Sequence, residues 1–131
     1  MRRNLLDETI LIVDDNLYIL KLTRRILEEA GFTVLTASDG PEALRRYQKY
    51  RSVIRLLLTD VVMPKMTGLE LADRVLAIHP ELPVLFMSGD LWGGYRGLEC
   101  VGKPFIASDL VEQVDRHLSG KRHSERTAPA A

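Results

Sequence analysis

Asp14 and Asp15 close the apolar run Ile10-Leu11-Ile12-Val13, and Asp60 closes Leu56-Leu57-Leu58-Thr59. Lys103 closes a third run, Leu98-Glu99-Cys100-Val101-Gly102. Each of these charges stands at the exit of a stretch that reads as a buried strand. In an open α/β sheet the carboxyl ends of parallel strands share one edge, and ligands bind in the crevice there. Three carboxylates and one ammonium at that edge make a site for a divalent cation and a phosphoryl group.

The demand for a cation follows from electrostatics. Two carboxylates about 4 Å apart repel by about 4 kcal/mol at an effective dielectric near 20. A fold that gathers three of them needs a counterion or raised pKa values. Mg²⁺ suits such a site, because it takes octahedral oxygen ligands and commonly combines one or two carboxylates with phosphate oxygens and water. Lys103 adds a compact point charge able to pair with a carboxylate or a phosphate oxygen. Taken singly, each charge reads equally well as the first solvated residue after a strand. Only the set together points to a site.

The elements that must position these groups alternate along the chain. Strands are expected near residues 9–14, 33–37, 54–59, 83–87 and 98–102. Helices are expected over about 16–30, 41–49, from Thr67 to just before His79-Pro80, and 108–118. Gly31 is suited to end the first helix. Asp39-Gly40-Pro41-Glu42 supplies a capping acid and a first-turn proline for the second. Thr67-Gly68-Leu69-Glu70 has capping-box spacing, and the residue before a proline resists helix. Such alternation implies a doubly wound parallel sheet.

On this frame the chain resembles the receiver domain of two-component response regulators over about residues 9–118. The residues that carry the likeness are Val13-Asp14-Asp15, Asp60-Val61-Val62-Met63-Pro64 with Met66-Thr67-Gly68, Met87-Ser88-Gly89 and Lys103-Pro104-Phe105. Each piece alone is weak; four in order at strand ends are specific. The resemblance implies a flavodoxin-like sheet of order 2-1-3-4-5. It makes Asp60 the phosphoacceptor, and Asp14, Asp15, Asp60 and the Val62 backbone carbonyl the ligands of Mg²⁺. Ser88 then contacts the phosphoryl group and Lys103 is the conserved-type lysine, aimed by a cis Lys103–Pro104 bond. The implied donor is a phosphohistidine on a histidine kinase or histidine phosphotransfer protein. The domain assists its own phosphorylation and dephosphorylation without being an enzyme in the turnover sense. The wording of residues 35–43 and 83–89 is similar to receivers attached to hybrid histidine kinases.

Two departures from the family pattern concern output. Between Ser88 and Leu98 lie nine residues, four of them glycine. A crossover between parallel strands normally takes about 10–12 residues or more. Nine extended residues reach about 30 Å, enough to return along a strand of about 17 Å. As a helix they cover only about 13 Å and leave nothing for turns. The fourth family helix is therefore expected to be truncated or absent, leaving apolar surface for Trp92, Leu91 or Tyr95, for a partner, or for a second copy of the chain in a homodimer. The other departure is Cys100, which stands where receivers usually carry an inward-swinging aromatic three residues before the lysine.

Composition fits one ordinary domain: 131 residues, 46% hydrophobic, with 18 basic and 18 acidic side chains. Zero formal charge argues against general affinity for nucleic acid or membrane, and no apolar run has membrane-spanning length. A single cysteine excludes an internal disulfide and suits a reducing cytoplasm; Cys100 itself reads as a small buried apolar residue. Residues 1–118 form the expected domain, and 119–131 read as a polar tail without fixed structure. His79 reads as a helix C-terminal residue favoured by the dipole. No DNA-binding segment is seen after the domain, so output is expected through protein contacts or a larger parent chain. Two rivals stand beside the receiver reading. A pseudo-receiver adaptor would bind partners without phosphorylation. A haloacid-dehalogenase-type phosphatase needs Asp-x-Asp, whereas Asp14 is followed by Asp15 and Asn16.

Overall fold

The computed structural model describes residues 9–88, 100–102 and 107–127, with side chains over 9–87 and 107–119. The elements run β1 (Thr9–Val13), α1 (Leu17–Glu29), β2 (Thr33–Ala37), α2 (Gly40–Tyr50), β3 (Ile54–Asp60), α3 (Gly68–Ile78), β4 (Val84–Ser88), β5 (Cys100–Gly102) and α4 (Ala107–Thr127). All strand pairs are parallel and the sheet order is β2-β1-β3-β4-β5, as the alternation and the family likeness imply.

Strand periodicity divides the core into two layers. Leu11, Val13, Leu57 and Phe86 face α2 and α3, where Tyr47, Leu71 and Val75 complete one cluster. Ile10, Ile12, Leu56, Leu58, Leu85 and Met87 face the other way, toward Leu20 and Leu27 of α1 and Leu110 and Val114 of α4. With helices on both faces, every residue of β1 is buried. Runs such as Ile10–Val13 are therefore apolar throughout instead of alternating.

Local signals fix the helix ends. Asn16 caps α1 by accepting from Tyr18 N at 3.0 Å and Ile19 N at 3.2 Å. Gly31, at φ 100°, closes it, with Gly31 N donating to Glu28 O and Phe32 N to Leu27 O. That left-handed turn is one an L side chain rarely adopts. Asp39 caps α2, and Thr67 with Glu70 forms a full capping box at α3.

α4 departs from expectation: it continues through Thr127 instead of ending at Leu118, so residues 119–127 of the expected unstructured tail are helical. Beyond Gly120 the chain offers Lys121, Arg122, Glu125 and Arg126, all good helix formers, and no proline before Pro129. Among the described residues there are four helices, and none is long and apolar enough to cross a membrane. The crossover 89–97 with Trp92 and Tyr95, Lys103 and its bond to Pro104, and the side chains of Ser88 and Cys100 lie outside the described residues.

Candidate functional site

β1 and β3 are adjacent and parallel, with Val13 opposite Thr59. One step further along both strands come Asp14 and Asp60, so the topology delivers two carboxylates to one sheet edge. Asp14 is fully buried, and its backbone N–H extends the β1–β2 ladder to Ala37 O at 3.2 Å. Its Oδ1 accepts from Asn16 N at 2.9 Å. Asn16 thus holds the carboxylate with its backbone and caps α1 with its side chain. Asp15 is exposed and Asp60 partly buried. One oxygen from each of Asp14, Asp15 and Asp60 lies within 4.8 Å of the others.

Asp60 is held as firmly as Asp14. Its Oδ1 accepts from Val61 N at 3.0 Å, and its backbone carbonyl accepts from Thr59 Oγ1 at 3.0 Å. Val61 N also donates to Met87 O at 3.1 Å, tying the strand exit to β4. The start of α3 presses on the same backbone, for Gly68 N donates to Val61 O at 2.8 Å. A Cβ at Gly68 would lie 2.0 Å from the Asp60 carbonyl oxygen. Only glycine allows α3 and β3 to meet this closely.

The donor set fits a hard divalent cation: oxygen ligands only, high negative charge, one buried carboxylate and open access through Asp15. At 4.8 Å two carboxylates repel by about 3 kcal/mol at an effective dielectric near 20. A bound cation turns each repulsion into attraction. Val62, two residues past Asp60, lies in the loop between β3 and α3 and is 73% exposed.

Of the predicted site residues, Asp14, Asp15 and Asp60 come together. Ser88 ends β4, and its backbone pairs with Gly102 of β5, the residue before Lys103. The Ser88 and Lys103 side chains lie outside the described residues.

The far side of the β3–α3 loop carries a contact that has no local sequence signal. Lys65 Nζ reaches Asp39 Oδ2 at 3.2 Å, while Asp39 Oδ1 accepts from Glu42 N at 2.8 Å. The Glu42 amide first, and the Lys65 charge after it, hold the Asp39 carboxyl below its ordinary value. The cap was legible in Asp39-Gly40-Pro41-Glu42. Nothing local announces a partner 26 residues away.

Known proteins resemble this chain in sequence and fold. The sequence profile of the response regulator receiver domain matches residues 10–92. The chain belongs to this family. It is 34% identical over 116 residues to the response regulator receiver protein CpdR of Brucella abortus, covering 83% of this chain and 95% of that protein. With the CpxR homolog of Haemophilus influenzae, a transcriptional regulatory protein, it shares 34% identity over 112 residues, 80% of this chain but only 48% of that one. Among solved structures, the receiver domain of the hybrid histidine kinase CckA superposes with a TM-score of 0.75 at 33% identity, covering 84% of this chain and 98% of that one. The likeness thus runs to a whole stand-alone receiver and to parts of longer proteins. Receivers are signalling modules that accept a phosphoryl group in two-component systems, and this chain is a phosphoryl-accepting receiver. The family generally binds Mg²⁺ at its acidic residues, and here Asp14, Asp15 and Asp60 form such a cluster.

Proposed function

We propose that Asp60 is the phosphoacceptor of this receiver and takes the phosphoryl group from a phosphohistidine of a histidine kinase or histidine phosphotransfer protein. The observation that carries the assignment is the convergence of Asp14, Asp15 and Asp60 within 4.8 Å at the ends of β1 and β3. Of the three, Asp60 is the one that ends a strand of the sheet. Its Oδ1 contact with Val61 N fixes the rotation of the carboxylate.

An Asp60 oxygen attacks phosphorus, the P–N bond to the donor imidazole breaks as the new P–O bond forms, and the histidine leaves. Asp14, Asp15, Asp60 and the Val62 carbonyl would hold Mg²⁺. When bound, the ion neutralises the carboxylates and the phosphoryl oxygens brought against them. Ser88 and Lys103 take the remaining phosphoryl oxygens, Ser88 from the end of β4 and Lys103 from the position after Gly102. Their contribution is electrostatic positioning, as in phosphoryl transfer generally. Leu17 and Tyr18, exposed in the first turn of α1, offer apolar surface beside the acid pair for the donor to dock on.

Phosphorylation places about −1.5 to −2 of charge at this edge and biases the loops around it. The domain then alters contacts with an output partner or with a second copy of itself, in the cytoplasm. It does not turn over phosphate monoesters. Incubation with acetyl phosphate and Mg²⁺, followed by intact mass, tests the reading. Wild type gains one phosphoryl group and Asp60→Asn gains none. No gain by wild type would favour a pseudo-receiver, and turnover of a generic monoester a phosphatase.

A further inference from the structure

The loop between β3 and α3 contains a backbone conformation that its own residues do not favour. Lys65, at φ 72°, is the one non-glycine residue with positive φ among the described residues. Met66 N donates to Pro64 O at 2.7 Å, closing a three-residue turn around Lys65. With positive φ at its centre, such a γ-turn is rare and strained. Strain of this kind persists where surrounding contacts over-determine it, and it concentrates at functional sites.

Contacts on both sides of the turn supply that constraint. Lys65 Nζ pairs with Asp39 Oδ2, and Asp39 is itself fixed as the cap of α2. Met66 lies against Gly40 so closely that a Cβ there would sit 2.7 Å from its side chain. At the far end of the loop, Gly68 N holds Val61 O. The segment carrying Val62 is therefore pinned to α2 on one side and to β3 on the other.

We propose that Lys65, held by Asp39, is a positioning residue that sets the β3–α3 loop for metal binding. The inference rests on the assignment of the Val62 carbonyl as a Mg²⁺ ligand. Lys65 contributes through geometry: its ammonium is engaged by Asp39, and the ion pair stabilises the strained turn that places the loop. Helix α2, remote from the acid cluster in sequence, thereby becomes part of the metal site's support.

Two substitutions separate this role from simple charge effects. Asp39→Asn keeps a good helix cap and removes the ion pair, and Lys65→Met removes it from the other side. Charge acting through space would make Asp39→Asn bind Mg²⁺ more weakly and Lys65→Met more tightly, because one loses an anion and the other a cation. A positioning role makes both weaker. The expected loss is about twofold to fivefold in Mg²⁺ affinity, the range to which the worth of an exposed ion pair converts. The double variant should be no worse than either single one, since both remove the same contact. Calorimetric titration of the full chain with MgCl₂ reads all four proteins. Opposite signs, additive losses or unchanged affinities would overturn the proposal. Should wild type bind no Mg²⁺, the metal assignment fails, and hydrogen exchange at the Met66 and Gly68 amides still decides whether Lys65 positions the loop. Faster exchange in both variants supports that role, and unchanged exchange refutes it.

Discussion

The two edges of the sheet are built on opposite electrostatic plans. At the carboxyl edge, Asp14 is buried beside two further carboxylates, whose mutual repulsion a bound cation would relieve. At the amino edge, the polar groups that α2 and α3 bring inward answer one another. Tyr47 is 1% exposed, and its hydroxyl lies 3.3 Å from Nδ1 of His79, the C-cap of α3. Burial pushes the Tyr47 phenol pKa up, so the group stays neutral. The comparison teaches where stability and function are kept. The amino edge holds the α2–α3 layer together, and this lets the carboxyl edge carry unfavourable charge.

The amino edge is tested most severely at Tyr47. Tyr47→Ala should cost about 3–5 kcal/mol, the usual penalty for removing a buried aromatic ring, as measured by urea denaturation. The folded fraction should still accept phosphate from acetyl phosphate at a near-normal rate. A loss below about 1 kcal/mol would show that the amino edge is not the stabilising one.

Gly68→Ala probes the boundary between the plans. Its new Cβ would collide with the Asp60 carbonyl, so the helix start or the strand exit must move. Such overpacking typically costs about 1–3 kcal/mol. Here it should also slow phosphoryl uptake, because the displaced backbone carries Asp60. Stability and rate falling together are the expected signature, and a stability loss with an unchanged rate would mean that α3 alone yields.

Asp15→Asn acts on the carboxyl edge alone. It should raise the stability of the metal-free protein by about 1 kcal/mol, the scale of one carboxylate repulsion in water-like surroundings, while weakening Mg²⁺ binding. Thermal melts with and without MgCl₂ give both numbers. A metal-free variant less stable than wild type would contradict the account of the carboxyl edge as repulsive.

The smallest effect is the acid dependence contributed by Asp39. Its pKa lies below the ordinary 3.8 in the folded state. It therefore stabilises the fold above that value and loses this contribution as pH falls through the lowered pKa. Asp39→Asn should flatten the acid limb of the stability profile below about pH 4. An unchanged limb would mean that the cap and Lys65 do not favour the ionised form.

What could be read in advance follows from how local each signal is. The Ile10–Val13 and Leu56–Leu58 runs are apolar throughout because both faces of the sheet are covered, and the carboxylates that follow mark the edge at once. Caps such as Thr67 with Glu70 act over three residues and are equally visible. The Lys65 turn is invisible because its conformation is imposed by Asp39 and Gly40, far back in the chain. His79 was legible as a helix end, but its bond to Tyr47 spans 32 residues and has no local mark. The extension of α4 past Leu118 was hidden by Gly120, whose cost of about 1 kcal/mol is small beside the helix formers that follow it.

Among the three clustered carboxylates, Asp60 is proposed as the one that takes the phosphoryl group. Acyl phosphates are reduced by borohydride, so phosphorylated protein can be trapped and the altered aspartate located by peptide mass mapping. Reduction at Asp60 alone, dependent on Mg²⁺ and lost in Asp60→Asn, is the predicted result. Reduction at Asp14 or Asp15, or at none of the three in a protein that has gained phosphate, would contradict it.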